Sequence, residues 1–398
     1  MRIIHLSDLH IGKRVKDFSM LDDQKVVLGQ IVDVISSHKP DALIISGDVY
    51  DRQVAPTEAI GVFEGFLLDV TKLVSQVIII AGNHDSATRL STNSALLREG
   101  VHICGKFDGN VNNVIVEDEA GSKMAVWMLP FIKPIDVRMS IASEDSEDND
   151  TKITSFDEAV KYMTNKMDVD SSIINVIATH QFVTGGAVSE SEELIIGGTE
   201  NVDGSAFDKF DYVALGHLHR PQNVGGDARI RYCGTPLKYS FSEVHDSKSV
   251  TIVDFEPKKA GDKYAKLEVT EVPLVPRYDM RELRGSFETV TSDKYVKDSK
   301  WRDAYLRVVL TDEHEEPNAY SKLKQIYPRM MTLEIENTRT RTESQIKGGL
   351  EAVDRVDPFA IFEEFYTKCN GTGFDEDQKK YVASLIDEIW NRDEEDSL

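Results

Sequence analysis

The sequence predicts an α/β protein: a two-sheet β-sandwich flanked by helices, then a small α/β unit, then a C-terminal helical hairpin. Over residues 1–100, short apolar runs alternate with helical patterns, the βαβα order of parallel strands covered by helices. Several of these runs stop abruptly at Asp, Asn or His, as buried parallel strands do when they present polar side chains at their C-terminal edge. Open α/β sheets place their active sites at that edge. Past residue 272 both the pattern and the charge balance change.

Ile3–Leu6 runs into Ser7-Asp8-Leu9-His10, and Val26–Ser36 reads as a helix with Val27, Ile31, Val34 and Ile35 on one face. The stretch Leu43–Arg52 (LIISGDVYDR) is an apolar run entering Gly47 and Asp48. Thr57–Leu73 reads as a second helix, with Ala59, Val62, Phe63, Phe66 and Leu67 inward and Pro56-Thr57 at its start. Val77–Ala81 runs into Gly82-Asn83-His84-Asp85. Residues 101–133 turn to short strands, among them Val114–Val116 and Met124–Leu129, and the acidic run SEDSEDND at 143–150 reads as a solvated loop. A helix is expected over Ser155–Lys166. Ile173–Ala178 then ends at Thr179-His180, and Tyr212–Leu215 ends at Gly216-His217-Leu218-His219. Ile230–Tyr232, Ser249–Phe255 and Ala265–Val269 read as closing strands of a second sheet, which completes a first domain over residues 1–272.

Residues 273–345 form a separate small α/β unit, with strands at 304–310 and 331–336 around a helix at 318–327. It carries 13 basic and 13 acidic residues, so it is neutral within an acidic chain. Residues 346–398 supply the end of a polar linker (about 338–354) and two helices. Asp357-Pro358 is an N-cap with proline at the first helical position, and Phe359, Phe362, Phe365 and Tyr366 share one face. A second helix opens at Asp375 and carries Tyr381, Val382, Leu385, Ile386 and Ile389. Two short helices with that many aromatics cannot bury their faces against each other alone; they pack on the domain or, the favoured reading, dock on a partner. From 351 to 398 there are 5 basic and 14 acidic residues, so this tail is a poor surface for DNA.

Composition narrows the rest. A chain of 398 residues holds two or three domains, and no stretch approaches a membrane span. The sequence starts on a strand, without a signal-peptide pattern. Cys104, Cys233 and Cys369 lie far apart without CxxC spacing, so they read as small buried residues in a reducing cytoplasm. The net charge of −23 argues against gripping nucleic acid over the whole surface.

The chemistry lies in the ordered set DxH – GD – GNHD – H – GHxH. Each piece alone is weak, because a histidine at a strand end is more often a satisfied polar residue than a ligand. Five in order, each ending an apolar run, point to a metal site assembled from distant sequence. Carboxylate, amide and imidazole without thiolate suit Mn²⁺, Fe²⁺ or Zn²⁺ rather than a structural cysteine-zinc site. Two cations about 3.5–4 Å apart need a bridging anion, and a carboxylate is the natural one. Such a pair polarises a phosphoryl group, lowers the pKa of a bound water and steadies the leaving oxygen. Asn83 offers a neutral oxygen, which leaves the adjacent His84 to act on phosphate.

At these residues the sequence resembles the calcineurin-like metallophosphoesterases and, within them, the SbcD family of nuclease subunits. The resemblance runs over nearly the whole chain and includes GDVYDR, LPFIKP, ALGHLHRPQ, YCGTPLKYSFSE and the DPFAIFEEFY tail. It implies that Asp8, His10 and His219 hold one metal, Asn83, His180 and His217 the other, and that Asp48 bridges them. His84 would orient or protonate around the scissile phosphate and the 3′ leaving oxygen. It further implies a manganese-dependent nuclease that degrades double-stranded DNA 3′ to 5′ and nicks single strands or hairpins. Such a subunit works with an SbcC-type ATPase that carries a coiled coil, as a homodimer within a heterotetramer, in DNA repair, recombination and replication. In that frame 273–345 is the capping domain and the tail helices bind the base of the coiled coil. The ATPase would supply much of the cationic surface that the acidic subunit lacks. Asp51, Arg52 and Asp85 are candidates to orient a ligand histidine, with helix capping and surface pairing as the plainer alternative. His5 reads as core or as support behind the ligands; His38, His102, His245 and His314 read as ordinary surface residues.

Two other functions fit parts of the pattern. A phosphoesterase for a cyclic nucleotide or nucleotide pyrophosphate uses the same metals but normally ends soon after the second sheet. A non-catalytic scaffold would have lost Asp48, His84 or His217, and all three are present.

Overall fold

A computed structural model describes residues 1–92, 99–143, 153–192, 200–259, 261–314 and 316–337, together with scattered positions between 359 and 385. The chain opens with β1 (Arg2–Leu6), a two-residue hairpin β2 (Arg14–Val15) and β3 (Phe18–Ser19), α1 (Leu21–His38), β4 (Ala42–Ser46), α2 (Thr57–Val70), β5 (Gln76–Ile80), α3 (Ala87–Leu90) and β6 (Val101–Cys104). It continues with β7 (Asn113–Glu117), β8 (Lys123–Leu129), α4 (Pro134–Ser143), α5 (Phe156–Lys166), β9 (Ile174–His180), β10 (Tyr212–Gly216), β11 (Gln222–Val224), β12 (Asp227–Tyr232), β13 (Ser249–Phe255) and β14 (Leu267–Pro273). Two six-stranded sheets result, in the orders β14-β13-β1-β4-β5-β6 and β11-β12-β10-β9-β8-β7.

The strands explain their own layering. Side chains alternate along a strand, so Ile3, Ile44, Ile78 and Ile80 of the first sheet meet Val126, Val176, Ala178 and Ala214 of the second in a buried middle layer. Their neighbours Ile4, Leu43, Ile45 and Ile79 face outward, against Leu28, Ile31 and Ile35 of α1 and Phe63 and Phe66 of α2. On the other side, Trp127, Ile177 and Val213 pack against Val137 and Ile141 of α4 and Phe156, Val160 and Met163 of α5. Each fully buried Ile or Val contributes roughly 1.5–3 kcal/mol, and removing one to alanine costs its transfer energy plus a cavity. α5 begins at a capping box: Ser155 accepts from the Glu158 amide, and the Glu158 carboxylate takes the Ser155 amide.

One expectation is corrected. Ile230–Tyr232 does join the second sheet, parallel to β10, with β11 beyond it at the edge. Ser249–Phe255 and the strand that follows belong to the first sheet instead: β13 lies antiparallel to β1 and β14 antiparallel to β13. β1 pairs with β4 along one edge, and without β13 its other edge would leave buried backbone groups without partners.

The chain then forms a three-stranded sheet from β15 (Met280–Gly285), β16 (Tyr305–Leu310) and β17 (Met330–Ile335), with α6 (Phe287–Val290), α7 (Asp293–Val296), α8 (Ser299–Arg302) and α9 (Ala319–Ile326) between them. Met280 and Tyr305 join Val15, Met20, Val27 and Leu237 in a buried cluster, and the Tyr305 hydroxyl donates to Asp23 Oδ2 at 2.9 Å. The chain divides into two compact units. One holds residues 1–284, 288–308 and 318–333; the other holds 285–287, 309–317 and 334–398. Within the second, the rings of Phe359, Phe362 and Tyr366 gather around Phe374 at 4.2–6.3 Å. The acidic run after residue 143, the linker at 338–354 and most of the tail helices lie outside the described residues. Cys233 is buried and Cys104 half-buried, both as free thiols. His102 is half-buried rather than on the surface, bonded to Gln76 Oε1 at 2.9 Å.

Candidate metal centre

β1, β4 and β5 are adjacent and parallel in one sheet, and β9 and β10 are adjacent and parallel in the other. The C-terminal ends of these strands meet. The Ser46 hydroxyl donates to the Ala214 carbonyl at 2.8 Å, which ties the two sheets together behind the site. There the chain leaves ordinary strand geometry. Asp8, His10, Asp48 and His217 all have positive φ, at 52°, 44°, 49° and 103°. Left-handed backbone costs a side-chain-bearing residue on the order of 1–2 kcal/mol, and such strain gathers at functional sites. Two glycines make room. A Cβ on Gly47 would lie 2.4 Å from His180 Nδ1, and one on Gly82 would lie 2.1 Å from Asp48 Oδ1.

The predicted residues converge. Asp8, His10, Asp48, His180, His217 and His219 are all buried, with Asn83 and His84 half-buried beside them. Three ligand sets have their donor atoms within 4.8 Å of one another: Asp8, His10 and His219; His10, Asp48 and His84; and Asp8, Asp48 and His180. His10 Nε2 stands 3.2 Å from His219 Nε2 and 3.7 Å from Asp48 Oδ2. His180 Nε2 is 3.3 Å from Asp48 Oδ2 and 3.0 Å from Asn83 Oδ1, which in turn lies 3.1 Å from His217 Nδ1.

The placement of protons shows what this arrangement suits. A carbonyl only accepts, so His180 Nδ1, 2.8 Å from the Ser46 carbonyl, carries its hydrogen and directs Nε2 at Asn83 and Asp48. His84 Nδ1 likewise donates to the Asp51 carbonyl at 3.1 Å, so Nε2 is the ring nitrogen left for other partners. His10 Nδ1 and His217 Nε2 are buried with no hydrogen-bond partner among the described residues. Burial drives His217 down to about 3 and holds His10 and His219 well below the ordinary imidazole value, so all three are neutral. Burial pushes the Asp8 carboxyl up to about 7, against His180. Asp48 moves the other way: burial would raise it, but His180, His10 and His84 hold it below the usual carboxylate range. Burial opposes a charge on His180, yet Asp48 and Asp8 raise it to about 9. Carboxylate, amide and neutral imidazole donors with unpaired buried atoms fit divalent cations.

The three neighbours behave differently. Asp51 takes Lys13 Nζ at 2.7 Å and stands 3.8 Å from His10 Nδ1. Arg52 is exposed and pairs with Asp51 at 3.5 Å. Asp85 spends its hydrogen bonds on backbone rather than on a histidine: it accepts the amides of Val49, Tyr50 and Gly82 at 3.0–3.1 Å, which staples the Asp48 loop to the Asn83 loop. Burial and the Asp48 charge push it up to about 6. His5, buried behind the site, bonds Tyr212 at 3.0 Å.

Other supports carried no residue-level signal. Phe131 stacks on His217 with ring centres 6.5 Å apart, and Tyr239 stands edge-on to His10 at 5.9 Å. Gln24 Nε2 donates to the His10 carbonyl and to the Tyr239 hydroxyl, both at 2.8 Å. Ser191, Glu192 and Glu243 gather at His219. Phe131, Tyr239 and Glu243 do fall inside the stretches LPFIKP and YCGTPLKYSFSE.

Acidic and imidazole side chains delivered by strand ends to the mouth of a two-sheet sandwich define a metal-dependent phosphoesterase. Residues 1–221 match the calcineurin-like phosphoesterase family, and residues 276–370 match a domain described as the type 5 capsule protein repressor C-terminal domain. The chain is 30% identical over 400 residues to the SbcD subunit of the SbcCD nuclease of Staphylococcus epidermidis, covering 99% of this chain and 100% of that one. It is 29% identical over 389 residues to the protein of the same name from Staphylococcus saprophyticus, covering 97% and 98%. The chain belongs to the calcineurin-like phosphoesterases and, within them, to the SbcD family.

Proposed function

We propose that this chain is a Mn²⁺-dependent DNA phosphodiesterase: a 3′–5′ double-strand exonuclease and single-strand or hairpin endonuclease that acts with an SbcC-type ATPase in DNA repair, recombination and replication. The observation that carries the reading is the convergence of five strand ends on one buried cluster of carboxylates and imidazoles. Likeness to the staphylococcal nuclease subunits over nearly the whole chain supports it. Asp8, His10 and His219 would hold one cation and Asn83, His180 and His217 a second, with Asp48 between them. A bound pair of cations supplies Lewis acidity to the phosphate and lowers the pKa of water.

The protein's own groups do the rest. The depressed Asp48 carboxyl stays ionised across the working pH range. His84, anchored through Nδ1 to the Asp51 carbonyl, has Nε2 left for the phosphate. Its role is to orient the scissile phosphate or pass a proton from that atom to the 3′ leaving oxygen. Residues 273–345 serve as the capping domain and 346–398 as linker and partner-binding helices. The subunit dimerises within a heterotetramer and works in the cytoplasm. With a net charge of −23, it binds DNA weakly until the ATPase contributes cationic surface.

The test is degradation of an end-labelled duplex in Mn²⁺, with and without the candidate ATPase subunit and ATP. Cleavage that needs Mn²⁺ and rises with the partner supports the reading. No DNA cleavage, with brisk turnover of a cyclic or small phosphodiester, would assign the centre to a small substrate instead.

A further inference from the structure

His219 is held from behind by a chain of bonds that coordination alone does not require. Its Nδ1 lies 2.6 Å from Ser191 Oγ, and Ser191 Oγ lies 2.6 Å from Glu243 Oε1 and 2.8 Å from Ser189 Oγ. Glu243 is fully buried, and its other oxygen is 2.6 Å from Lys248 Nζ. Lys248 closes the circuit by donating to the His219 carbonyl at 2.8 Å.

Hydrogen counting gives this chain a direction. An ionised carboxylate only accepts, so the single Ser191 hydroxyl hydrogen goes to Glu243, at a length typical of charge-assisted O–H···O bonds. The hydroxyl's lone pairs are then left to accept, and the hydrogen on His219 must sit on Nδ1. Nε2 is therefore the bare nitrogen, and it is the atom that faces His10 Nε2 at 3.2 Å. We infer that Ser191 and Glu243 are positioning residues that lock the tautomer and ring orientation of His219, so that Nε2 is presented to a divalent cation shared with Asp8 and His10. This rests on the metal-centre reading above. Partners of this kind commonly set a ligand's basicity as well as its angle. A plainer role, pinning the 187–192 loop, is already filled by other bonds: Gln222 pairs with both backbone groups of Ala187, and Glu192 accepts the His219 amide.

The experiment uses the full chain as Ser191→Ala and Ser191→Thr. Mn²⁺ titrations read by electron paramagnetic resonance count the ions, and ¹⁵N spectra of the histidine rings in metal-free protein read the tautomer. Wild type is expected to bind two ions and to show His219 as the Nδ1–H form. Ser191→Ala is expected to weaken one ion by about 10–100-fold while sparing the other, and to mix the His219 tautomers. Ser191→Thr, which keeps the hydroxyl, is expected to restore both. Two-ion binding in Ser191→Ala equal to wild type would overturn the inference, as would equal weakening of both ions together with lower thermal stability. If wild type binds no ion, the metal-centre reading falls by itself. The ring spectra then decide this point alone, and an unchanged tautomer in Ser191→Ala overturns it.

Discussion

Gly82→Ala would test how tightly the strand ends are packed around the Asp48 carboxylate. The added methyl carbon would lie 2.1 Å from Asp48 Oδ1, 2.5 Å from Asp48 N and 2.7 Å from Asp48 Cγ. Non-bonded carbons rest at about 3.5–4.0 Å, so the Asp48 and Gly82 backbones must part by about 1 Å. A side-chain rotation does not relieve the contact, because the Asp48 amide is part of it. Asp85, which bonds Gly82, Val49 and Tyr50 at once, resists that separation. Overpacking of this kind costs about 2–3 kcal/mol, and Asp48 also leaves the position that brings it within reach of His10 and His180. Urea unfolding in EDTA reads the first effect, and calorimetric Mn²⁺ titration the second. Gly29→Ala is the control: Gly29 is exposed within α1, a Cβ there would meet nothing within 4 Å, and the change is expected to gain about 0.8–1.0 kcal/mol. A Gly82→Ala protein as stable as wild type, with unchanged ion binding, would refute the packing argument.

Other substitutions separate the roles of neighbouring groups. His84→Gln is expected to keep both ions and lose cleavage, whereas Asp48→Asn loses ions and cleavage together; equal ion loss in both would contradict that division. Burial, aided by Arg231, lowers His5 to about 3, so between about pH 6.5 and 3 the unfolded chain takes up a proton that the folded chain refuses. The contribution is present above pH 6.5 and is lost as pH falls. By pH 5 it amounts to about 2 kcal/mol in metal-free protein, at 1.36 kcal/mol per unit. His5→Asn should flatten the stability-versus-pH curve by that amount, and an unchanged slope would show that His5 titrates normally. Ser155→Ala removes half of the α5 capping box and is expected to cost about 1 kcal/mol, measured as a lower urea midpoint.

What could be read from residues alone follows from what each pattern encodes. The five polar strand ends were legible because a buried strand is an apolar run, and the residue at which the run stops is visible. The side to which β13 attaches was not, since a strand buried on both faces carries no mark of its neighbour; β14, a half-exposed edge strand, follows β13 by pairing with it. α4 escaped for a different reason. Ile135, Val137, Met139 and Ile141 alternate as in a strand, but only Val137 and Ile141 face the core, while Ile135 and Met139 are 46% and 66% exposed. Within the site, residue type marked the donors. The left-handed backbone at Asp8, His10, Asp48 and His217 carries no such mark, and neither does the Ser191–Glu243 support, which joins positions 52 residues apart.

The most direct measurement is anomalous diffraction from crystals equilibrated with Mn²⁺. Two peaks about 3.5–4 Å apart are expected, one bonded to Asp8, His10 and His219, the other to Asn83, His180 and His217, with Asp48 reaching both. A single peak, or none at these strand ends, would contradict the two-ion centre on which the proposed chemistry depends.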